Sequence, residues 1–439
     1  MKTYLFFVVI ILVTVGLNSL AQKFLRQQWN LWLGYGIPAL GMVLFMWAVS
    51  DPSTLFIDFT KAYYPGGRLI VENPSGLYYS SQGVRCVGLV NIPIIATLFT
   101  PLSFLNLNTA HFLFTGLSSL AIFIACYFLV KLTKVSGYKR IALLGLFVIN
   151  GPLYYSLKIG NTTHIILLLL LAVFFCISTK RDIGIGILLA IAALIKIPLF
   201  LLGIYFTLRQ RWRVLAGFCI SLLGIVGASL FLFGFDLHGI WYHECIQPFS
   251  GKPLAAYNVQ SVDAFLARLL TNTNRGLENW WPIEVGWSFK ILRYTLLSVL
   301  LGTTIWICWR SKPPSNLETE NLEFSIVLCL SLLISPISWT HYYLFLLLPF
   351  TLYLGKRLAV PSGRIWSSLM LVSILLTSLP VIAADIGNPI LRVLYFKLLI
   401  SHYFVGGIIL LGVLLAARWQ SSKRTELCSE DVTVTGLYQ

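Results

Sequence analysis

Long apolar runs, continuous rather than alternating, dominate this chain and restrict the solvent it can fold in. The stretch LLLLLAVFFCI over residues 167–177 is the plainest case. A bilayer core needs about 17–25 such residues per helix, and in lipid only helices and closed barrels satisfy their own backbone. Continuity selects helices, because a barrel strand alternates between lipid and lumen. Charged residues make up 11% of the chain, against about 25% in soluble domains, so it has too little polar surface to cover a globule in water. The expected fold is an all-α polytopic membrane protein.

The formal net charge of +16 sits mainly in short loops between apolar runs, the pattern of cytoplasmic loops rather than of nucleic-acid binding. Lys23 and Arg26, Lys131 to Arg140, Lys180 and Arg181, Arg209 to Arg213, Arg310 and Lys312, Lys356 to Arg364, and Arg418 to Arg424 can all share one side. This predicts about thirteen spans, with the N-terminus outside and the C-terminus inside. The first twenty residues resemble a signal peptide without a clear cleavage site and read as a retained first helix, 4–20, followed by a second at 31–49. Residues 1–425 form one transmembrane domain, with a first outer loop at 50–107 and a second at 236–287. Residues 426–439 are a cytoplasmic polar tail, and the chain after Arg418 is read as disordered. The run at 183–208 is too short for two crossings and is interrupted by Lys196 and Pro198, which predicts short or re-entrant helices.

Several chemistries are not supported. No G-x-x-x-x-G-K-[ST] is present, and the cytoplasmic loops are too short for a nucleotide-binding domain. The eight cysteines show no C-x-x-C spacing. Cys86 and Cys245 fall in the outer loops, where a disulfide between them is possible. His238, His243 and Glu244 lack the i, i+4 histidine pair of a zinc helix, so no metal and no other cofactor is expected. Asn161-Thr-Thr163 matches a glycosylation acceptor but sits at a span boundary. Glu318, Glu320 and Glu323 read as a solvated cytoplasmic loop.

The candidate chemistry lies near the outer span ends. Asp58 follows the second span in an aromatic setting, where a carboxylate is costly unless exposed, paired or used. It is either a general base or a solvated acid at a helix start. Lys196 is an ionisable group within an apolar run, functional or snorkelling. Arg268 ends FLAR in the second outer loop and is either an exposed loop arginine or a fork for phosphate oxygens. His341 opens a span and Asn161 sits in a turn between two others. Each is a candidate for binding phosphate or sugar, or for capping a helix.

These residues fall within segments that resemble glycosyltransferase family 87. Asp58-Phe59, Tyr63-Tyr64, Gly66-Gly67 and Pro74 to Tyr78 resemble its first outer loop. NIPIIATLFTPLSFL resembles its short Pro-containing stretch, and Lys158-Ile-Gly160-Asn161 its Gly-Gln/Asn signature. GIGILLAIAALIKIPLFLL resembles its Gly-rich run ending in Lys-x-Pro, with Lys196 and Pro198. Asn258-Val-Gln260-Ser261 to Arg268 resembles its Asn-Gln-Ser segment, and Ser335-Pro336 to His341 its Ser-Pro-x-Ser-Trp-x-His signature. The segments keep the family's order over residues 55–355. The departures are a span before Asp58, Asn161 where Gln is common, and an added Val259.

The resemblance implies a GT-C-type fold and a polyprenyl-phosphate sugar donor, typically of mannose. It implies Asp58 as the catalytic base. Tyr63, Tyr64, Asn161, Lys196, Arg268 and His341 are then the substrate-binding candidates. The acceptor would be a glycolipid or glycan at the outer face of the plasma membrane, with no nucleic-acid partner. Two other readings use the same bilayer architecture. A transporter or flippase predicts ionisable groups at mid-span and an internal repeat. A glycan ligase or polymerase using a lipid diphosphate donor predicts a basic outer loop without need of Asp58.

Overall fold

A computed structural model describes residues 55–79, 89–135, 137–271, 280–311, 313–314, 316–381 and 386–435. The expected spans at 4–20 and 31–49 lie outside these residues, as does Cys86. The described residues form helices and turns, with one isolated antiparallel bridge, Val259 to Trp339. The helices are α1 (Tyr64–Glu72), α2 (Pro93–Ser103), α3 (Leu107–Thr133), α4 (Gly137–Val148), α5 (Gly151–Lys158), α6 (Thr163–Ser178), α7 (Asp182–Ile195) and α8 (Phe200–Leu208). They continue as α9 (Trp212–Trp241), α10 (Val262–Leu270), α11 (Trp287–Arg310), α12 (Leu317–Ile334), α13 (Leu347–Leu354), α14 (Arg364–Ser378), α15 (Pro389–Lys397) and α16 (His402–Thr435).

Five helical stretches among the described residues are long and apolar enough to cross a membrane: Leu107–Thr133, Lys139–Lys158, Trp212–Phe249, Trp287–Arg310 and Pro389–Ser422. The other apolar helices are shorter. α6 has 16 residues and so rises about 24 Å, short of a bilayer core of about 30 Å. α6 and α7 form a hairpin whose open end carries Asn161 at one tip and Lys196 at the other.

The break at Lys196 has a local cause. Pro198 has no N–H to offer the Leu194 carbonyl, so the helical ladder stops and Lys196 turns extended (φ −129°, ψ 90°). The Asn91 side-chain amide replaces the missing donor, bonding the carbonyls of Leu194 (3.2 Å) and Ile195 (3.0 Å). α7 then packs on α9 at backbone distance. A Cβ at Gly186 would lie 2.1 Å from the Val214 carbonyl oxygen, and one at Gly217 would lie 2.5 Å from that of Ile183. Small residues at both positions permit this approach.

The far end of the α6–α7 hairpin corrects one expectation. α12 starts at Asn316, whose side chain accepts from the Thr319 N–H, so the three glutamates lie on a helix rather than in a loop. Glu323 is fully buried and bonded by Arg209, by the Arg418 Nε (2.7 Å) and by the Tyr205 hydroxyl (2.9 Å). Glu320 and Asp182 both pair with Arg211. A buried carboxylate needs such partners, and here they tie α8, α12 and α16 together. α16 also runs as helix to Thr435, into the stretch read as disordered.

Candidate active site

Asp58 is fixed by its own backbone. The Phe56 N–H donates to the Lys158 carbonyl (2.7 Å) and the Asp58 N–H to the Ile159 carbonyl (2.8 Å), which seats this segment on the turn between α5 and α6. Gly160 makes the seat possible. Its φ is +69°, and a Cβ there would lie 2.8 Å from the Phe59 Cβ. Phe59 is buried and stacks on Phe114 at 4.5 Å between ring centroids, which anchors the start of the π-helical turn Phe59–Tyr63.

Asn161 is the hub of the site. Its Nδ2 donates to Asp58 Oδ2 (2.7 Å) and to the Tyr63 hydroxyl (3.3 Å). Its Oδ1 accepts from Lys196 Nζ (2.8 Å), the Thr163 hydroxyl (2.8 Å) and the Thr163 N–H (3.2 Å). The amide orientation is thereby determined, because an ammonium can only donate and a carboxylate can only accept. Asn161 thus joins the ends of three segments: the loop before α1, the start of α6 and the end of α7. Both ends of the amide are engaged, and they link the acid to the lysine. Asn161 is itself buried.

Lys196 is 4% exposed and lies 4.8 Å from the Tyr342 ring centroid. His341 follows a short paired segment, and its ring centroid lies 5.0 Å from that of Tyr342. The 258–260 segment pairs with 338–340 through Gln260 N–H to the Ser338 carbonyl (2.6 Å) and Thr340 N–H to the Asn258 carbonyl (2.8 Å). The added Val259 makes the bridge to Trp339 within this pairing. The His341 ring lies nearly parallel to those of Tyr155 (6.0 Å) and Trp339 (6.4 Å). Asn258 bonds Tyr155 and accepts from the Trp280 indole, both at 3.0 Å.

Two expected residues stand elsewhere. Arg268 is 2% exposed, and its guanidinium is engaged by the carbonyls of Ala256 and Val259 (2.9 Å each) and by the Ser401 hydroxyl. These bonds go to its own loop and to the residue before α16, so it braces the segment that pairs with 338–340. Tyr64 donates to the Leu105 carbonyl (2.7 Å) and holds α1 beside α2. Tyr63 does join the site, stacked on Phe99 at 4.5 Å. His164 is a buried residue that sequence reasoning passed over. The available signal was an ionisable side chain in the first turn of an apolar helix, three residues after Asn161. Among the described residues no group of three or more His, Cys, Asp or Glu is placed to hold a metal. His238 is instead bonded to Ser229 and the Gly234 carbonyl, and His243 to Gln247.

Burial pushes the Asp58 carboxyl above its ordinary value, and the Asn161 amide and Lys196 ammonium pull it partly back. A base of this kind loses activity as pH falls through its raised value. Asn161→Leu retains the burial and removes the amide donor. The acid limb of its pH–rate profile is expected to move to higher pH than in the wild type. A limb that stays in place or moves down would show that the Asn161 bond does not set the basicity of Asp58.

The family model described as glycosyltransferase family 87 matches residues 90–336. Asn161, His164, Lys196 and Asn258 fall inside this span, while Asp58 and Tyr63 precede it and His341 follows it. No curated protein matches the chain.

Proposed function

The chain belongs to glycosyltransferase family 87, and from that premise we propose that it transfers a hexose, mannose being the expected one, from a polyprenyl-phosphate sugar to a lipid-linked or glycan acceptor. Transfer takes place at the outer face of the plasma membrane. Asp58 takes the proton of the acceptor hydroxyl as its oxygen attacks the anomeric carbon. The new oxygen–carbon bond forms as the bond to the phosphate oxygen breaks, and the electron pair leaves with the lipid phosphate. Attack from the opposite face inverts the configuration. Lys196 and His341 face the charge that develops on the phosphate.

The observation that carries this reading is the state of Asp58. One carboxylate oxygen is held by the Asn161 amide nitrogen, whose amide oxygen in turn accepts from the buried Lys196 ammonium, and that ammonium acts on Asp58 electrostatically. That is how a general base is held. A solvated turn acid would not be gripped in this way. The outer placement is supported by Cys245, which is disulfide-bonded and follows α9 on the same side as the site. Disulfides persist in oxidising compartments. A transporter is less well supported, because the ionisable residues of this site gather at the tips of helices rather than along a mid-span path.

The purified protein is expected to transfer sugar from a polyprenyl-phosphate hexose and to be inactive with a nucleotide sugar once lipid donor has been removed. Transfer from the nucleotide sugar under those conditions would refute the proposed donor.

A further inference from the structure

Asn161 is held through its backbone as well as through its amide. α5 ends in a Schellman turn: the Asn161 N–H donates to the Ser156 carbonyl (2.8 Å) and the Gly160 N–H to the Leu157 carbonyl (3.0 Å), with Gly160 in the left-handed region. The Ser156 hydroxyl donates to the Asn161 carbonyl (3.4 Å) and lies 3.0 Å from His164 Nδ1. A hydroxyl has one proton, and a carbonyl oxygen can only accept. Both contacts are therefore made when Ser156 donates to the carbonyl and accepts from His164, which puts the ring proton on Nδ1. Ser156 and His164 are 0% and 1% exposed. The His164 Nε2 has no hydrogen-bond partner among the described residues. An imidazole in that state costs more to bury than an apolar side chain of similar size, so the bond from Nδ1 is what the histidine contributes here.

We propose that Ser156 and His164 are positioning residues for the reaction and act through Asn161. Ser156 grips residue 161 on both sides, its carbonyl on the N–H and its hydroxyl on the C=O. His164 donates to that hydroxyl oxygen and so leaves its proton pointing at the carbonyl. With the backbone fixed, the Asn161 side chain leaves it in one direction. Thr163 then bonds the amide oxygen, and the amide reaches from Lys196 to Asp58 Oδ2. The grip lies within residues 156–164, so it is in place before any substrate arrives. The inference rests on the reading of Asp58 as the base and adds two residues behind it.

The first measurement is the state of the ring in the full-length wild type, read from the nitrogen-15 shifts of labelled histidine and assigned by the signals missing from His164→Asn. Nδ1 is expected to carry the proton and Nε2 to be bare. A proton on Nε2 would overturn the inference. The second is transfer from a polyprenyl-phosphate hexose across pH. His164→Leu is expected to slow transfer about tenfold, the scale of one lost hydrogen bond. Its acid limb should move to higher pH, because a looser Asn161 gives Asp58 less of the bond that keeps it ionised. His164→Asn places an amide N–H where Nδ1 stood and should restore most of both, whereas equal losses in the two variants would overturn the inference. In an Asn161→Leu background, His164→Leu should move the limb no further. A further shift there would mean that His164 acts by another route, and the inference would fall. If wild type transfers no sugar from the lipid donor, the proposed function fails, and the ring state alone then decides whether His164 holds Ser156.

Discussion

Asp58→Asn is expected to lower sugar transfer by about 10²–10⁴-fold, the usual contribution of a well-placed base, while the protein inserts and folds as before. The substitution is close to isosteric, and the Asn161 Nδ2 that donates to the carboxylate can still donate to an amide oxygen. The backbone bonds of Phe56 and Asp58 to the 158–159 turn do not involve the side chain. What is lost is the capacity to take a proton. Single-turnover transfer from a polyprenyl-phosphate hexose measures this directly, with detergent-phase melting as the fold control. A variant that retains wild-type turnover with a normal melting profile would remove Asp58 from the chemistry.

The sequence made the membrane class legible because continuous apolar runs admit few solutions in lipid, and it made the break at Lys196 legible because a proline cannot complete the ladder. Asp58 and Lys196 could be picked out for a related reason: an ionisable group near or within an apolar segment carries a cost that must be recovered. What the sequence did not reveal were partnerships between residues distant along the chain. Asn161 lies 103 positions from Asp58 and 35 from Lys196, and nothing local distinguishes an amide that joins them from one that binds sugar. Arg268 illustrates the converse. In the second outer loop it invited a role with phosphate, but the fold turns it onto carbonyls of its own segment and a serine 133 positions away.

Glu323 taught the same lesson at the other end of the hairpin. Beside Glu318 and Glu320 it looked like part of a solvated loop. Its burial follows from Arg209 and Arg418 reaching it from helices far apart in the chain. The asparagine cap at Asn316 was the local clue, since it moves the helix start ahead of the glutamates. The consequence is structural: Glu323 fastens α8, α12 and α16 of the bundle together.

Lys196→Gln is expected to reduce transfer by about 10²–10³-fold, the loss typical when one preorganised group facing a developing charge is removed. Glutamine can still donate to Asn161 Oδ1, so the hub retains its bond, but the positive charge is gone. Two steps then suffer together. The departing lipid phosphate loses its cation, and Asp58 loses the ammonium that helps keep it ionised, so its carboxyl rises further and the acid limb shifts to higher pH. The contact with the Tyr342 ring weakens for the same reason, since an aromatic face attracts a cation far more than a neutral amide. The comparison with Asp58→Asn separates the roles: Asp58→Asn should retain affinity for polyprenyl phosphate while losing rate, and Lys196→Gln should lose both. Unchanged lipid-phosphate affinity in Lys196→Gln, with the rate preserved at high pH, would confine Lys196 to holding Asn161 and Asp58 in place.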